Sequence, residues 1–189
     1  LQCQWIQGTG PGAKPNTTIE RSIRNVAYAL LSGADGWMFD GEDALGQIST
    51  MSLDNQRNLK LAISAEDIFL QAAEQVANEM NKWSVSFLGR ETINDWQKQL
   101  NFTTKIFRAR GLHLDDRHIR DEKGVAISAS LVDVTTYVVN NYQNLQAKDS
   151  SIVLYLPKIQ TAEDAALWNN ILSTLEAYLE LPIGTIKVY

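Results

Sequence analysis

Trp37-Met38-Phe39-Asp40-Gly41-Glu42-Asp43 decides the reading of this chain, because an apolar run passes without interruption into three carboxylates. A continuous apolar run marks a strand covered on both faces. Carboxylates placed where such a strand stops are costly to bury, so they usually hold a cation, a metal or a proton. In parallel α/β folds the carboxyl ends of strands are where ligands bind. A second run, Thr104-Lys105-Ile106-Phe107, ends in Arg108-Ala109-Arg110-Gly111. Acids at one strand end and a guanidinium at another predict a site for an anionic substrate, reached directly or through a metal.

The elements around these two runs alternate. Gln2–Gly8 reads as a strand, followed by a Gly/Pro-rich loop to Pro15. Thr17-Thr18-Ile19-Glu20 has capping-box spacing, and Ile19, Ile23, Val26 and Leu30 then fall on one helical face. Gly33 suits the position just past that helix. Ile68, Ala72, Val76 and Met80 form another stripe, extended by Trp83, Phe87 and Trp96. Residues 44–103 therefore read as one or two helices inserted between strands. A polar loop, Asp115 to Gly124, precedes a helix marked by Leu131, Val134, Val138 and Leu145. Ser151–Leu156 is the clearest buried strand and stops at Pro157-Lys158, since proline cannot continue a central ladder. A last helix from about Thr161 carries Ala165, Trp168, Leu172, Leu175 and Leu179, and Gly184–Tyr189 reads as a fifth strand. The expectation is a single α/β domain over residues 1–189, with parallel strands and right-handed helical crossovers.

Composition narrows the function. The 189 residues are 44% hydrophobic and 21% charged, which is globular rather than disordered material. A net charge of −5 with no basic stripe argues against nucleic-acid binding. No apolar stretch reaches the length of a membrane span, and the amino end lacks the pattern of a secretory signal. The single cysteine, Cys3, rules out an internal disulfide framework and a cysteine metal cluster, and points to a reducing, cytoplasmic setting. A chain that starts without Met and stops on Thr185-Ile186-Lys187-Val188-Tyr189 reads as a fragment.

In order along the chain, several motifs resemble the malate synthase family. Ser32-Gly33-Ala34-Asp35-Gly36-Trp37-Met38-Phe39-Asp40-Gly41-Glu42-Asp43 is similar to its acid-bearing strand end. Asn55-Gln56-Arg57-Asn58-Leu59, Phe107-Arg108-Ala109-Arg110-Gly111-Leu112-His113-Leu114, Tyr155-Leu156-Pro157-Lys158, Leu167-Trp168-Asn169 and Leu181–Ile186 follow in the family's order. The resemblance implies a (β/α)₈ TIM-type barrel, of which this chain would hold about the first five parallel strands with their helices. It implies an acyltransferase of the glyoxylate cycle that condenses acetyl-CoA with glyoxylate, assisted by Mg²⁺, and hydrolyses the thioester to malate and CoA. On that pattern Arg108 is the catalytic arginine, and Asp40 and Glu42 are acids around the metal and its waters. The direct metal ligands and the catalytic base would lie beyond Tyr189, so the chain would carry part of a site and be inactive alone. Gly41, Ala44-Leu45-Gly46 and Leu112 depart from the family pattern at the mouth, which leaves another small 2-oxo acid open as substrate. A citryl- or malyl-CoA lyase or related metal-dependent aldolase is the enzymatic alternative. A non-catalytic barrel fragment or binding module is the other.

By residue type alone each candidate has a plainer role. Arg108 either meets a substrate or pairs an acid; Asp40 and Glu42, two apart on an extended chain, point to one face or are loop acids. Asp43 suits a helix cap. Arg110 reads as a structural partner of Asp115 or Asp116. His113 and His118 lack metal-site spacing and read as loop or packing residues. Lys158 either faces the mouth or is solvated or salt-bridged, and the five tryptophans read mostly as core. The functional reading requires Asp40, Glu42 and Arg108 to meet at one rim of a parallel sheet.

Overall fold

The structure, a computed structural model, describes residues 5–9, 18–42 and 49–189, with backbone alone for 5–9 and 49–52. The expectations for Cys3, Asp43, the loop to Pro15 and Ala44–Gly46 lie outside the described residues. Five strands, β1 (Trp5–Thr9), β2 (Gly36–Asp40), β3 (Thr104–Arg108), β6 (Ile152–Tyr155) and β7 (Ile186–Val188), form one parallel sheet in the order β1-β2-β3-β6-β7. Helices connect them: α1 (Ile19–Leu30); α2 (Ser49–Ser64), α3 (Asp67–Leu88) and α4 (Trp96–Phe102); α5 (Ala129–Ala147); and α6 (Ala162–Tyr178). This is the α/β architecture of a partial (β/α)₈ barrel. Among the described residues, no helix is long and apolar enough to cross a membrane.

The strand alternation sorts side chains onto two faces. Trp37, Phe39, Phe107, Ile152, Leu154 and Ile186 point toward the helices and join Val26, Leu59, Phe69, Val134 and Leu172 in the main core. Phe39 stacks on Phe107 at 5.3 Å between ring centroids, and Phe107 stacks on Tyr137 of α5 at 4.3 Å. Met38, Ile106 and Val153 share the opposite face, and among the described residues Tyr155, also from a strand, packs against them. In a closed barrel that face is filled by layers of side chains from facing strands.

Helix ends follow local chemistry. Thr161 caps α6 through a reciprocal capping box with Asp164. At α1 the cap is Thr18, whose side chain accepts from the Arg21 backbone N–H; an arginine at that position has no acceptor to return the bond, so this end carries a single cap and not the reciprocal box expected from the Thr17–Glu20 spacing. Gly33, with φ +84°, turns the chain two residues beyond the Leu31 C-cap. Glu176, buried on α6, accepts from the backbone N–H groups of Gly184 (2.9 Å) and Ile186 (2.8 Å) and so pins the entry to β7.

Three expectations are corrected. The interval before β3 holds three helices rather than one or two. The loop expected from Asp115 to Gly124 is an antiparallel hairpin, β4 (Asp115–Arg120) with β5 (Ala126–Ser128). Its strands are exposed on nearly every residue of β4, so no apolar alternation announced them. Of the expected α3 stripe Ala72 and Val76 are buried, Ile68 is exposed, and Trp83 and Phe87, read as its extension, are exposed at 55% and 85%; the buried face runs through Phe69, Ala72, Ala73, Val76 and Ala77.

The hairpin is tied to α5 by Arg110. Its side chain donates to both oxygens of Asp133 (2.7 and 2.9 Å) and to Asp116 (2.9 Å), and its backbone N–H also donates to Asp133. Asp116 is thus the partner on the hairpin, Asp115 is not, and the bridge is buried rather than superficial. Burial opposes the charge on Asp116. The backbone N–H groups of His118 and Ile119 and the Arg110 guanidinium outweigh it, and hold the carboxyl below its usual range. A carboxyl depressed in the folded state adds stability above its unfolded pKa and loses it as pH falls through the folded value. Asp116→Asn is therefore expected to be less stable than the parent at neutral pH, with the gap closing below about pH 4, as read by urea unfolding across pH. Phe107→Ala, which empties the centre of the aromatic stack, is expected to cost about 3–5 kcal/mol in the same assay at neutral pH.

Candidate functional site

Register builds the site. Met38, Ile106 and Val153 lie level across β2, β3 and β6, and two residues further along the same face come Asp40, Arg108 and Tyr155, again level. Parallel pairing therefore sets an acid, a guanidinium and a phenol side by side at the carboxyl rim, one layer above the apolar row. The site is a consequence of strand pairing, with no long loop needed to assemble it.

Arg108 Nη1 donates to Asp40 Oδ2 at 2.8 Å, and Nη2 donates to Glu42 Oε2. Its guanidinium carbon lies 5.4 Å from the centroid of the Tyr155 ring, within cation–π range. Lys158, on the turn after β6, reaches Glu42 Oε1 at 2.6 Å from a backbone with φ +57°. Asp40 Oδ1 accepts from the Glu42 backbone N–H at 3.1 Å, a local turn that holds the two acids in fixed relation. Side-chain exposure is 3% for Glu42, 5% for Asp40, 14% for Arg108 and 54% for Lys158. Two buried acids thus meet one shielded and one solvent-facing cation, and the four charges cancel.

Gly41 lets the two strand ends approach. Its N–H donates to the Arg108 carbonyl at 2.8 Å, and a Cβ built there would lie 2.5 Å from that same oxygen. Gly41, met in the sequence as a departure at the mouth, is required by this contact. Leu112, the other described departure, lines a cavity of about 390 Å³ with His113, Pro157, Lys158 and Trp168. That cavity opens beside the charge cluster through their shared Lys158. His113 sits there as a lining residue, with its ring against Gly111, and His118 is on the exposed β4 strand.

The sequence-selected acids and arginine are brought together, Lys158 joins them, and Arg110 is held apart with Asp116 and Asp133. Sequence reasoning missed Tyr155 and Asp133. Tyr155 could have been found by strand parity, since it stands two residues beyond Val153 as Arg108 stands two beyond Ile106. Asp133 sits inside a helix with no spacing relation to Arg110.

Fit to a divalent cation follows from the donor set. Each oxygen of Asp40 and Glu42 already faces an N–H or ammonium, and no group of three or more His, Cys, Asp or Glu suited to a metal occurs among the described residues. With the Arg108 and Lys158 cations already against them, the two acids are neutralised and do not fit as direct ligands of Mg²⁺, which would be a third cation on the same pair. Carboxylate oxygens have two lone pairs each, so both acids do fit as acceptors for waters on such an ion.

Residues 104–189 match the sequence model of the family "Malate synthase, TIM barrel domain". The chain is 32% identical to Malate synthase A of Escherichia coli (strain K12) over 99% of its own length and 30% of that protein. It is 33% identical to Malate synthase of Dictyostelium discoideum and 31% identical to Malate synthase of Myxococcus xanthus (strain DK1622), each over 99% of this chain and 29% of the relative. The chain thus spans about 30% of the length of these relatives. With a parallel sheet that sets Arg108 and its two acids at the carboxyl rim, residues 104–189 carry the malate synthase TIM barrel domain and the chain is similar to malate synthases from end to end.

Proposed function

We propose that this chain contributes part of the active site of a malate synthase-type acyltransferase. The reaction condenses the methyl carbon of acetyl-CoA with the aldehyde carbon of glyoxylate, and water then cleaves the thioester to give malate and free CoA. The observation that carries the reading is the clamp on Arg108: two buried carboxylates and an aromatic face fix its guanidinium at the carboxyl rim of the sheet. The family match and the relatives' name, malate synthase, support this choice of reaction.

Each residue has a physical task in this reading. Arg108 presents a planar fork suited to a substrate carboxylate or a developing enolate oxygen. Asp40 and Glu42 hold that fork in place, so little reorganisation is needed when charge develops. Lys158, half exposed and tied to Glu42, adds positive potential at the entrance for two anionic substrates. Mg²⁺, when bound, would polarise the carbonyl of the 2-oxo acid; Asp40 and Glu42 would accept from its waters, and its direct ligands would come from outside the described residues. The base that takes the methyl proton would come from outside them as well. Gly41 and Leu112 shape the mouth and bear on which 2-oxo acid is accepted. A cytoplasmic setting accords with the lone cysteine.

The test is release of free CoA from acetyl-CoA and glyoxylate by the protein in its natural length. Arg108→Lys, which keeps the charge and loses the fork, is expected to lower kcat by about 10²–10³-fold with the far-UV circular dichroism unchanged. Cleavage of a C–C bond in a CoA ester without net thioester hydrolysis would instead establish the lyase chemistry. Gly41→Ala is expected to push β2 and β3 apart at the rim, costing about 1–3 kcal/mol of stability and lowering kcat more than it raises KM.

A further inference from the structure

At the opposite rim of the sheet a second cluster of charge remains outside the proposed reaction. Lys105 is the second residue of β3, where Arg108 is the last, and its side chain leaves the strand on the face that carries the helices. It lines a cavity of about 200 Å³ together with Lys148, which follows α5, and with Gln97, Asn101 and Ser150 as the other polar side chains. Apolar residues of α2, α3, α4 and α5, among them Ile63, Leu70, Leu100 and Leu145, complete the wall. No acid lines it, and neither lysine forms a salt bridge among the described residues.

Lys105 is only 8% exposed. Buried lysines are almost always paired with an acid. Here the Lys105 ammonium donates to the carbonyls of Leu100 (2.6 Å) and Thr103 (2.9 Å), at the end of α4, and Lys148, an exposed residue at the mouth of the cavity, donates to the Ile63 carbonyl (2.6 Å), at the end of α2. Helix carboxyl ends favour cations, which explains why single lysines settle there. It does not explain two like charges on one cavity in a protein whose net charge is −5. An ammonium has three donors, so Lys105 keeps one and Lys148 keeps two beyond the carbonyl contacts. Desolvation first, and then the charge of Lys148, pull the Lys105 pKa down to about 8. A bound anion would offset both through its attraction to the two ammonium groups.

We propose that this cavity binds a small doubly charged oxyanion of the phosphate class, held between Lys105 and Lys148 with Gln97, Asn101 and Ser150 as further polar contacts. The volume is of the order of six or seven waters at about 30 Å³ each, enough for a free oxyanion. The site is separate from the acids and arginine of the carboxyl rim.

Equilibrium dialysis of the natural-length protein against radiolabelled inorganic phosphate, at neutral pH and constant ionic strength in KCl, tests the proposal. One saturable phosphate per chain is expected from this cavity. Its affinity should fall about tenfold or more in Lys148→Gln, recover in Lys148→Arg, and persist in Arg108→Gln. A second readout needs no variant: phosphate should protect Lys148 from reductive methylation, followed by peptide mass spectrometry, and leave the exposed Lys123 on the hairpin unprotected. Absence of saturable phosphate, binding that survives Lys148→Gln, loss of binding in Arg108→Gln alone, or unchanged methylation of Lys148 would each overturn it.

Discussion

Everything at the carboxyl rim depends on the parallel pairing of β2 with β3, which puts Asp40 level with Arg108. A slip of one residue would turn every side chain of a strand to the other face. Asp40 would then meet the helices, and the arginine would lose its acid. The register is held from below by Met38, Ile106 and Val153 on one face and by the Phe39–Phe107–Tyr137 stack on the other. Apolar packing thus positions a charged site, and the contact of Gly41 with the Arg108 carbonyl closes the two strand ends against each other.

Two buried carboxylates beside one arginine are not a gain in stability to be assumed. Desolvation of such groups offsets most of their mutual attraction, while removing one partner leaves an uncompensated charge at a cost of about 3–5 kcal/mol. A cluster that contributes little to folding yet is expensive to disturb is suited to holding a side chain in one orientation. The same balance separates the two arginines of the Phe107–Leu114 stretch. Arg108 faces the strand-end acids at the rim, whereas Arg110 is consumed by Asp116 and Asp133 and fastens the hairpin to α5. Two residues apart in sequence, one is placed for chemistry and the other for architecture.

Much of this was legible from residue order. The five strand runs, their alternation with helices and the family motifs led to a parallel α/β sheet, and the sheet observed has those strands in chain order. Asp40, Glu42 and Arg108 could be selected because charge at the end of an apolar run is unusual. The hairpin was not legible, because β4 is solvated on nearly all sides and has no alternation to detect. The exposure of Ile68, Trp83 and Phe87 was not legible either, because a helical stripe reports spacing, not what covers it; Trp83 stacks at the surface on Tyr28.

Sequence by itself determined which segments become strands and helices, and which residues carry charge to the strand ends, since these follow from local periodicity and the cost of burying a carboxylate. Tertiary structure alone decided which charges meet. Glu42 binds Lys158 across 116 positions of sequence, Arg110 finds Asp133 inside a helix, and Lys105 shares a cavity with Lys148 rather than an acid. The physical reason is that partners of buried charge are chosen by strand register and helix packing, which bring together residues that no spacing along the chain relates.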